Sequence, residues 1–192
     1  MGTRRTDVLD AAIAVIGEGG MRALTHRAVD AAAGVPTGST SNLFGTKDAL
    51  IGAVVVRIAE REREYWEAMA ADVRPDTPAD LARSLAAAVR DSTTVHRTLT
   101  VARYAILVEG AFRPQVRPTL AATGARVGIW SQNWLKMVGS REPERDAYLV
   151  AQNVSGLVLH QLSYPDPDFD AEPTLRVLLE ALIGDRSDHA RR

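Results

Sequence analysis

The sequence is notable first for what it lacks. Its 192 residues contain no cysteine, which excludes disulfide bonds and catalysis by a thiol. Aromatic residues make up only 5% of the chain, and no apolar run is long enough to cross a membrane. The opening segment, MGTRRTDVLDAA, lacks the continuous apolar core of a signal peptide. We therefore expect a cytoplasmic protein without a membrane partner.

Signals for β-structure and for common catalytic sites are missing as well. No stretch alternates apolar and polar residues over the length of a strand, and no Asn-Gly or Asp-Gly pair marks a hairpin. There is no P-loop, no GxGxxG and no GxSxG motif. No set of metal ligands forms around any of the four histidines, which are His26, His96, His160 and His189. We expect neither an enzyme nor a bound metal or cofactor.

Helical periodicity runs through the whole chain instead. Apolar residues recur at intervals of three and four, as Val8, Ala12 and Ile16 do. The fold class is therefore all-α, with a length that allows one or two domains. The predicted helices cover about 4–17, 25–33, 36–42, 47–69, 78–93, 95–109, 119–138, 144–162 and 173–183.

Residues 25–47, THRAVDAAAGVPTGSTSNLFGTK, are the most informative segment. A small-residue helix capped by Thr25 runs into a turn at Gly34, and a very short helix with small polar side chains follows. This layout is typical of a helix-turn-helix, whose second helix enters the major groove of DNA. Overall charge gives no support, because the net charge is −1 and many nucleic-acid binders are basic.

The short second helix of this motif has expected limits. Pro36 suits its first position, where a missing N–H costs nothing, and we expect the helix to end near Asn42. Leu43 and Phe44 are expected to point back into the core. Thr46 can then cap the following long helix.

The side chains expected to read bases lie on this short helix. Gly38 lets the backbone approach the groove, and Asn42 is the one side chain able to make two hydrogen bonds to adenine. Hydroxyl groups that can bond to base edges or phosphates belong to Thr37, Ser39 and Ser41. The alternative is an ordinary solvated helix.

Other residues are candidates for phosphate contacts. The second helix of the chain opens with Thr25, His26 and Arg27, and helix N-terminal N–H groups bind phosphate oxygens. Lys47 opens the fourth helix in the same way. The alternative for the cations is a surface position near a helix end, and His26 could equally be solvated.

A ligand pocket is indicated more weakly. Trp130 and Trp134 lie four residues apart on one helix face, and Glu109 interrupts the apolar run YAILVEGAF. Further candidate lining residues are Trp66, Tyr104 and Asn133. Alternatively, the aromatic residues fill the core and Glu109 pairs with Arg103 or Arg113.

The last two long helices are candidates for self-association. Their apolar faces could pair with their copies as an intermolecular four-helix bundle, in which Gly156 would permit close approach. The alternative is that both faces are buried within one subunit.

The run from Arg5 to Leu50 resembles the N-terminal DNA-binding domain of the tetracycline-repressor (TetR) family of bacterial regulators. The matching features are Ala11-Ala12, Gly20, Thr25, Ala33-Gly34-Val35, Gly38, Phe44, Lys47 and Ala49-Leu50. This chain departs from the common family pattern at four positions. The family commonly has Ser or Thr where Pro36 stands, aromatic residues where Ser41 and Asn42 stand, and His where Leu43 stands. These departures suggest a different operator sequence.

The resemblance implies a homodimeric regulator, most often a repressor, that binds a palindromic DNA operator. Residues 1–46 would form the helix-turn-helix domain, and residues 47–192 a helical ligand-binding and dimerisation domain. An unknown small-molecule effector would swing the DNA-binding domains apart and release the operator. The alternative is a DNA-binding or partner-binding helical protein with no small-molecule ligand, which a solidly packed C-terminal domain would indicate.

Overall fold

The computed structural model describes the backbone of residues 2–184 and the side chains of residues 4–122, 129 and 131–184. Every regular element in this part of the chain is helical, which confirms the all-α prediction. The helices are α1 (Gly2–Ala23), α2 (His26–Ala32), α3 (Ser39–Phe44), α4 (Lys47–Asp72), α5 (Pro78–Thr93), α6 (Arg97–Phe112), α7 (Arg117–Met137), α8 (Pro143–Ser163) and α9 (Glu172–Ile183). A 3-10 turn, Pro114–Val116, precedes α7. None of the helices described is both long and apolar enough to span a lipid bilayer.

The N-terminal helix extends past its predicted end at residue 17, but its backbone departs from helical geometry at Gly20. Gly20 has φ 70° and ψ −176°, which breaks the regular helical backbone inside α1. A positive φ of this kind is accessible to glycine at little cost.

The chain divides into two compact units, each held together by its own internal contacts. The first comprises the chain up to Tyr65 together with Val95–Arg126, and the second comprises Trp66–Thr94 and the chain from Val127 onward. This contact-based division differs in kind from the segments 1–46 and 47–192, which the sequence distinguishes by role.

The first unit is built on the packing of α1 against α6. A Cβ atom on Gly17 would lie only 2.3 Å from the backbone oxygen of Thr98, so the two helices meet at a distance that requires glycine. The core around this contact also includes α2, α4 and the end of α3. Its fully buried side chains include Ile13, Ile16, Leu24, Val29, Leu50 and Ile51.

The second unit is built on α5, which packs against α8 and α9. Thr77 starts α5 with a capping box, because its hydroxyl accepts from the Asp80 N–H at 3.1 Å while Asp80 accepts from the Thr77 N–H at 3.0 Å. The buried side chains of this unit include Leu81, Leu85, Val89, Leu175 and Leu179.

The apolar stripe of α8 that could pair with a second copy is buried only in part within its own unit. Ala147, Val150 and Val158 are buried there, Val154 and Leu157 are half-buried, and Ala151 is exposed. The opposite face of the helix is exposed, and it carries Tyr148 and Leu159.

Candidate nucleic-acid interface

The second helix of the first unit starts as the sequence predicts. The Thr25 hydroxyl accepts a hydrogen bond from the Ala28 N–H at 3.1 Å and so caps α2. After α2, the chain turns through Gly34, whose φ of 62° lies in the left-handed region. The Thr46 hydroxyl caps α4 in the same manner, through the Ala49 N–H at 3.1 Å.

The third helix begins later than predicted. It spans Ser39–Phe44, so Pro36 lies outside it. The reason is Gly38, which precedes the helix in the left-handed conformation with φ 91° and therefore cannot be a helical residue. Thr37 and Gly38 consequently belong to the turn, and the expected groove-facing set is divided between turn and helix.

Asp30 organises the start of α3 from the end of α2. One carboxylate oxygen accepts from the Gly38 N–H at 2.7 Å, and the other accepts from the Thr40 N–H at 2.8 Å and the Thr40 hydroxyl at 2.6 Å. Asp30 is only 3% exposed. The Thr40 hydroxyl contributes most to holding the pKa of Asp30 below its ordinary value of 3.8, and the two backbone N–H groups add to the effect.

The hydroxyl groups of α3 are already engaged within the protein. The Ser39 hydroxyl donates to the Pro36 carbonyl at 2.6 Å and accepts from Arg4 at 3.2 Å. The Ser41 hydroxyl donates to the Gly38 carbonyl at 2.9 Å. In this arrangement both serines offer acceptor lone pairs to a partner, while their protons hold the helix together.

The last three side chains of α3 are two exposed residues followed by a buried one. Asn42 is exposed, and so is Leu43, at 39%. The expectation that Leu43 points into the core is therefore wrong; in a helix this short, the inward position is taken by Phe44, which is buried. The Arg5 guanidinium lies 4.7 Å from the centre of the Phe44 ring, which gives a cation–π contact.

The candidate phosphate-binding residues differ in how available they are. Arg27 is exposed in the first turn of α2. Lys47 is exposed, with its Nζ 3.4 Å from the Met21 carbonyl oxygen. The Nε2 atom of His26 is buried and has no hydrogen-bond partner among the described residues, so this ring edge does not face solvent.

The candidate ligand-binding aromatics of the second unit form one pair. The rings of Trp66 and Trp134 meet edge to face, with centroids 6.0 Å apart and planes at 62°. Trp134 is 4% exposed, whereas the adjacent Asn133 is exposed. Trp130 lies on the same helix, but its side chain is outside the described residues.

The candidate carboxylate of the first unit forms an ion pair. Glu109 pairs with Arg113, one of its two expected partners, and Arg113 also pairs with Asp48. Because of these two carboxylates, the pKa of Arg113 is raised above its ordinary value.

The other expected partner, Arg103, pairs with a carboxylate that the sequence analysis did not single out. Its Nε lies 2.9 Å from Glu62, and its guanidinium lies 5.3 Å from the ring centre of Tyr104. Burial raises the pKa of Glu62, and the charge of Arg103 opposes that shift.

Asp30 and Arg4 are site residues that the sequence analysis missed. The available signal for Asp30 was a carboxylate beside the apolar Val29 and followed by three alanines, in the middle of a predicted helix. Arg4 carried no signal, because its partner Ser39 lies 35 residues along the chain.

Two family models match separate parts of the chain. The family model described as bacterial regulatory proteins of the tetR family matches residues 8–54, and the model described as the tetracyclin repressor-like C-terminal domain matches residues 76–185. These matches confirm the resemblance seen in the sequence. No curated protein matches the chain.

Several solved structures are similar over nearly the whole chain. A TetR-family member from Streptomyces coelicolor A3 is 29% identical with a TM-score of 0.70, and covers 95% of this chain and 99% of its own. The multidrug binding protein EbrR, solved in complex with ethidium, is also 29% identical with a TM-score of 0.70, and the corresponding coverages are 94% and 98%. A transcriptional regulator from Rhodococcus sp. Rha1 is 22% identical with a TM-score of 0.73, covering 92% and 94%, and supports the fold alone.

Proposed function

The chain belongs to the tetracycline-repressor family of transcriptional regulators, and we propose that it represses transcription by binding a palindromic operator as a homodimer that a small molecule releases. The observation that carries this proposal is the outward face of the Thr37–Leu43 segment, whose exposed polar groups stand at the start and end of a helix fixed by Asp30. Residues 1–46 would contact DNA, and residues 47–192 would sense the ligand and dimerise.

In this proposal, base reading falls mainly to the exposed side chains of α3. The Asn42 amide can make a bidentate contact with adenine, and the exposed Leu43 can contact a thymine methyl group. Thr37 adds a hydroxyl from the turn. Ser39 and Ser41 act as acceptors, since their protons are used internally.

Phosphate binding would position this helix in the groove. Exposed Arg27 and Lys47 flank the motif, and Thr25 and His26 complete the opening turn of α2. Arg4 also belongs to this set, because its bond to Ser39 places a guanidinium beside the start of α3. With few cations involved, the salt dependence of binding should be modest.

Effector binding is assigned to aromatic side chains within residues 47–192. Support comes from the Trp66–Trp134 pair of the second unit. It also comes from similarity to EbrR, which was solved with ethidium and with proflavin. We therefore propose an aromatic effector. A hundredfold release of the operator requires about 2.7 kcal/mol of differential binding.

Dimerisation is assigned to the exposed face of α8 and α9. Tyr148 is 65% exposed and Val177 is 68% exposed, and Leu159 is also exposed on α8. Among the described residues, no atom outside the helix's own backbone lies within 4 Å of a Cβ atom built on Gly156, so a second helix could approach closely there. Burial of such side chains would favour association.

Selection of bound duplexes from a random library, at low salt, tests the proposal. We expect enrichment of an inverted repeat, and a dissociation constant that rises with ethidium or proflavin. Tryptophan fluorescence of the protein alone, titrated with either dye, separates direct binding from competition by dye intercalated in the duplex. A protein that enriches no sequence would contradict operator binding. Enrichment that is insensitive to both dyes, with no change in fluorescence, would contradict an effector of this class.

A further inference from the structure

Asp30 is a buried carboxylate whose described hydrogen bonds all go to the junction between the turn and the start of α3. Its two oxygens accept from the Gly38 N–H at 2.7 Å, the Thr40 N–H at 2.8 Å and the Thr40 hydroxyl at 2.6 Å. At 3% exposure it lies beneath α3 rather than on its outer face, so it cannot itself touch a duplex.

The start of α3 needs this acceptor because it has no cap of its own. The residue before the helix is Gly38, which has no side chain to cap the first N–H groups. A helix of six residues is also too short to be stable by itself. A negative charge near its N-terminus offsets the partial positive charge of the free N–H groups. Asp30 supplies both the hydrogen-bond acceptor and the negative charge, although it belongs to α2.

The three hydrogen bonds stabilise α3, and they also restrain its rotation about its own axis. Gly38 belongs to the turn and Thr40 to the first turn of the helix, so one carboxylate joins both sides of the junction. Rotation of α3 about its axis would break at least one of these bonds. The direction in which Asn42 projects, one turn later, is therefore set from Asp30.

We propose that Asp30 is a positioning residue for sequence reading: it sets the rotation of α3 so that Asn42 and its exposed neighbours meet the base edges. This inference rests on the proposed function, since it presumes that α3 reads DNA. If Asp30 has this role, its loss should reduce selectivity for the enriched sequence more than affinity for DNA in general. Phosphate binding by Arg27 and Lys47 does not depend on Asp30.

The test compares Asp30→Asn with the wild type on two duplexes, the one that the wild type enriches and a scrambled one of equal length. Asparagine keeps the volume but turns one acceptor oxygen into a donor, which leaves the N–H of either Gly38 or Thr40 facing another donor. We expect at least a tenfold loss of affinity, or about 1.4 kcal/mol, on the enriched duplex. Binding to the scrambled duplex, and its salt slope, should stay unchanged.

Two further variants make the result interpretable. Asp7→Asn removes the same charge from an exposed position of α1, and should change neither affinity. Thr40→Val removes only the hydroxyl donor, keeps the shape of the side chain, and serves if Asp30→Asn does not fold. It should reduce the preference for the enriched duplex by less than Asp30→Asn, and the two changes combined should be less than additive.

The outcomes separate this inference from the proposed function. A wild type that enriches no duplex contradicts the proposed function itself. A wild type that enriches a duplex, with variants that keep the same ratio between the two affinities, contradicts the positioning role alone. Equal losses on both duplexes also contradict it, because they show a general structural or electrostatic effect.

Discussion

The α2–α3 segment and the α8–α9 surface expose different kinds of chemistry. In the first, four polar side chains form hydrogen bonds within the segment, those of Asp30, Ser39, Thr40 and Ser41, and the exposed Asn42 lies on the same short helix. In the second, large apolar side chains such as Tyr148 and Val177 face outward. The first surface offers hydrogen-bonding groups in fixed directions. The second offers apolar surface area that a partner could bury.

This difference matters because the two kinds of surface gain binding energy differently. Hydrogen bonds contribute little net free energy, but a misdirected partner leaves a group unsatisfied, so fixed geometry produces selectivity. Apolar burial contributes roughly in proportion to area and is not directional. We therefore expect substitutions at α2–α3 to change selectivity, and substitutions at α8–α9 to change association.

The largest effect is expected on the apolar surface. The double substitution Tyr148→Glu with Val177→Glu places two charges where burial is proposed, and should weaken self-association at least about a hundredfold, or about 2.7 kcal/mol. Sedimentation equilibrium measures it. The matched control is Arg90→Glu, at an exposed position of α5. A variant that remains dimeric would place the interface elsewhere.

The second effect concerns the reading helix. Asn42→Ala should cost about 1–3 kcal/mol on the enriched duplex and little on a scrambled one, because a bidentate base contact is lost. Fluorescence anisotropy gives both affinities. Duplexes in which each adenine in turn is replaced provide the control, since the variant should no longer distinguish one of them. Equal weakening on every duplex would assign Asn42 to the phosphate backbone.

Much of the fold could be predicted because helix limits are local signals. The last helix was expected at 173–183 and spans Glu172–Ile183, ending before Gly184. The caps at Thr25 and Thr46 were also read correctly, since a hydroxyl and an N–H three residues later settle them.

The details of the site could not be predicted in the same way. Pro36 is compatible with both a turn and a first helical position, so the start of α3 depended on the backbone conformation of Gly38. The partners of Asp30 lie eight and ten residues away on another element. Periodicity assigns a residue to a face, but it does not show which polar group of another element that face will meet.

A smaller effect is expected at the edge of the motif. Lys47→Ala should weaken binding to every duplex and reduce the slope of log affinity against log salt by about one, because one phosphate contact is lost. Binding measured between about 50 and 200 mM salt gives the slope. Lys136→Ala removes the other lysine of the chain, in α7, and should leave the slope unchanged. An unaltered slope in Lys47→Ala would remove it from the phosphate contacts.

The smallest effect concerns the charge of Asp30, which stabilises the folded protein at neutral pH and does so less in acid. Its pKa in the folded protein lies below the ordinary 3.8, chiefly because the Thr40 hydroxyl donates to the ionised carboxylate. The stabilisation is therefore fully present above the unfolded pKa and is lost as pH falls through the lower folded pKa. The difference in melting temperature between the wild type and Asp30→Asn should stay constant from neutral pH to about 5 and shrink below 3.8. A difference that persists unchanged into strong acid would mean that shape at position 30, rather than charge, stabilises the junction between α2 and α3.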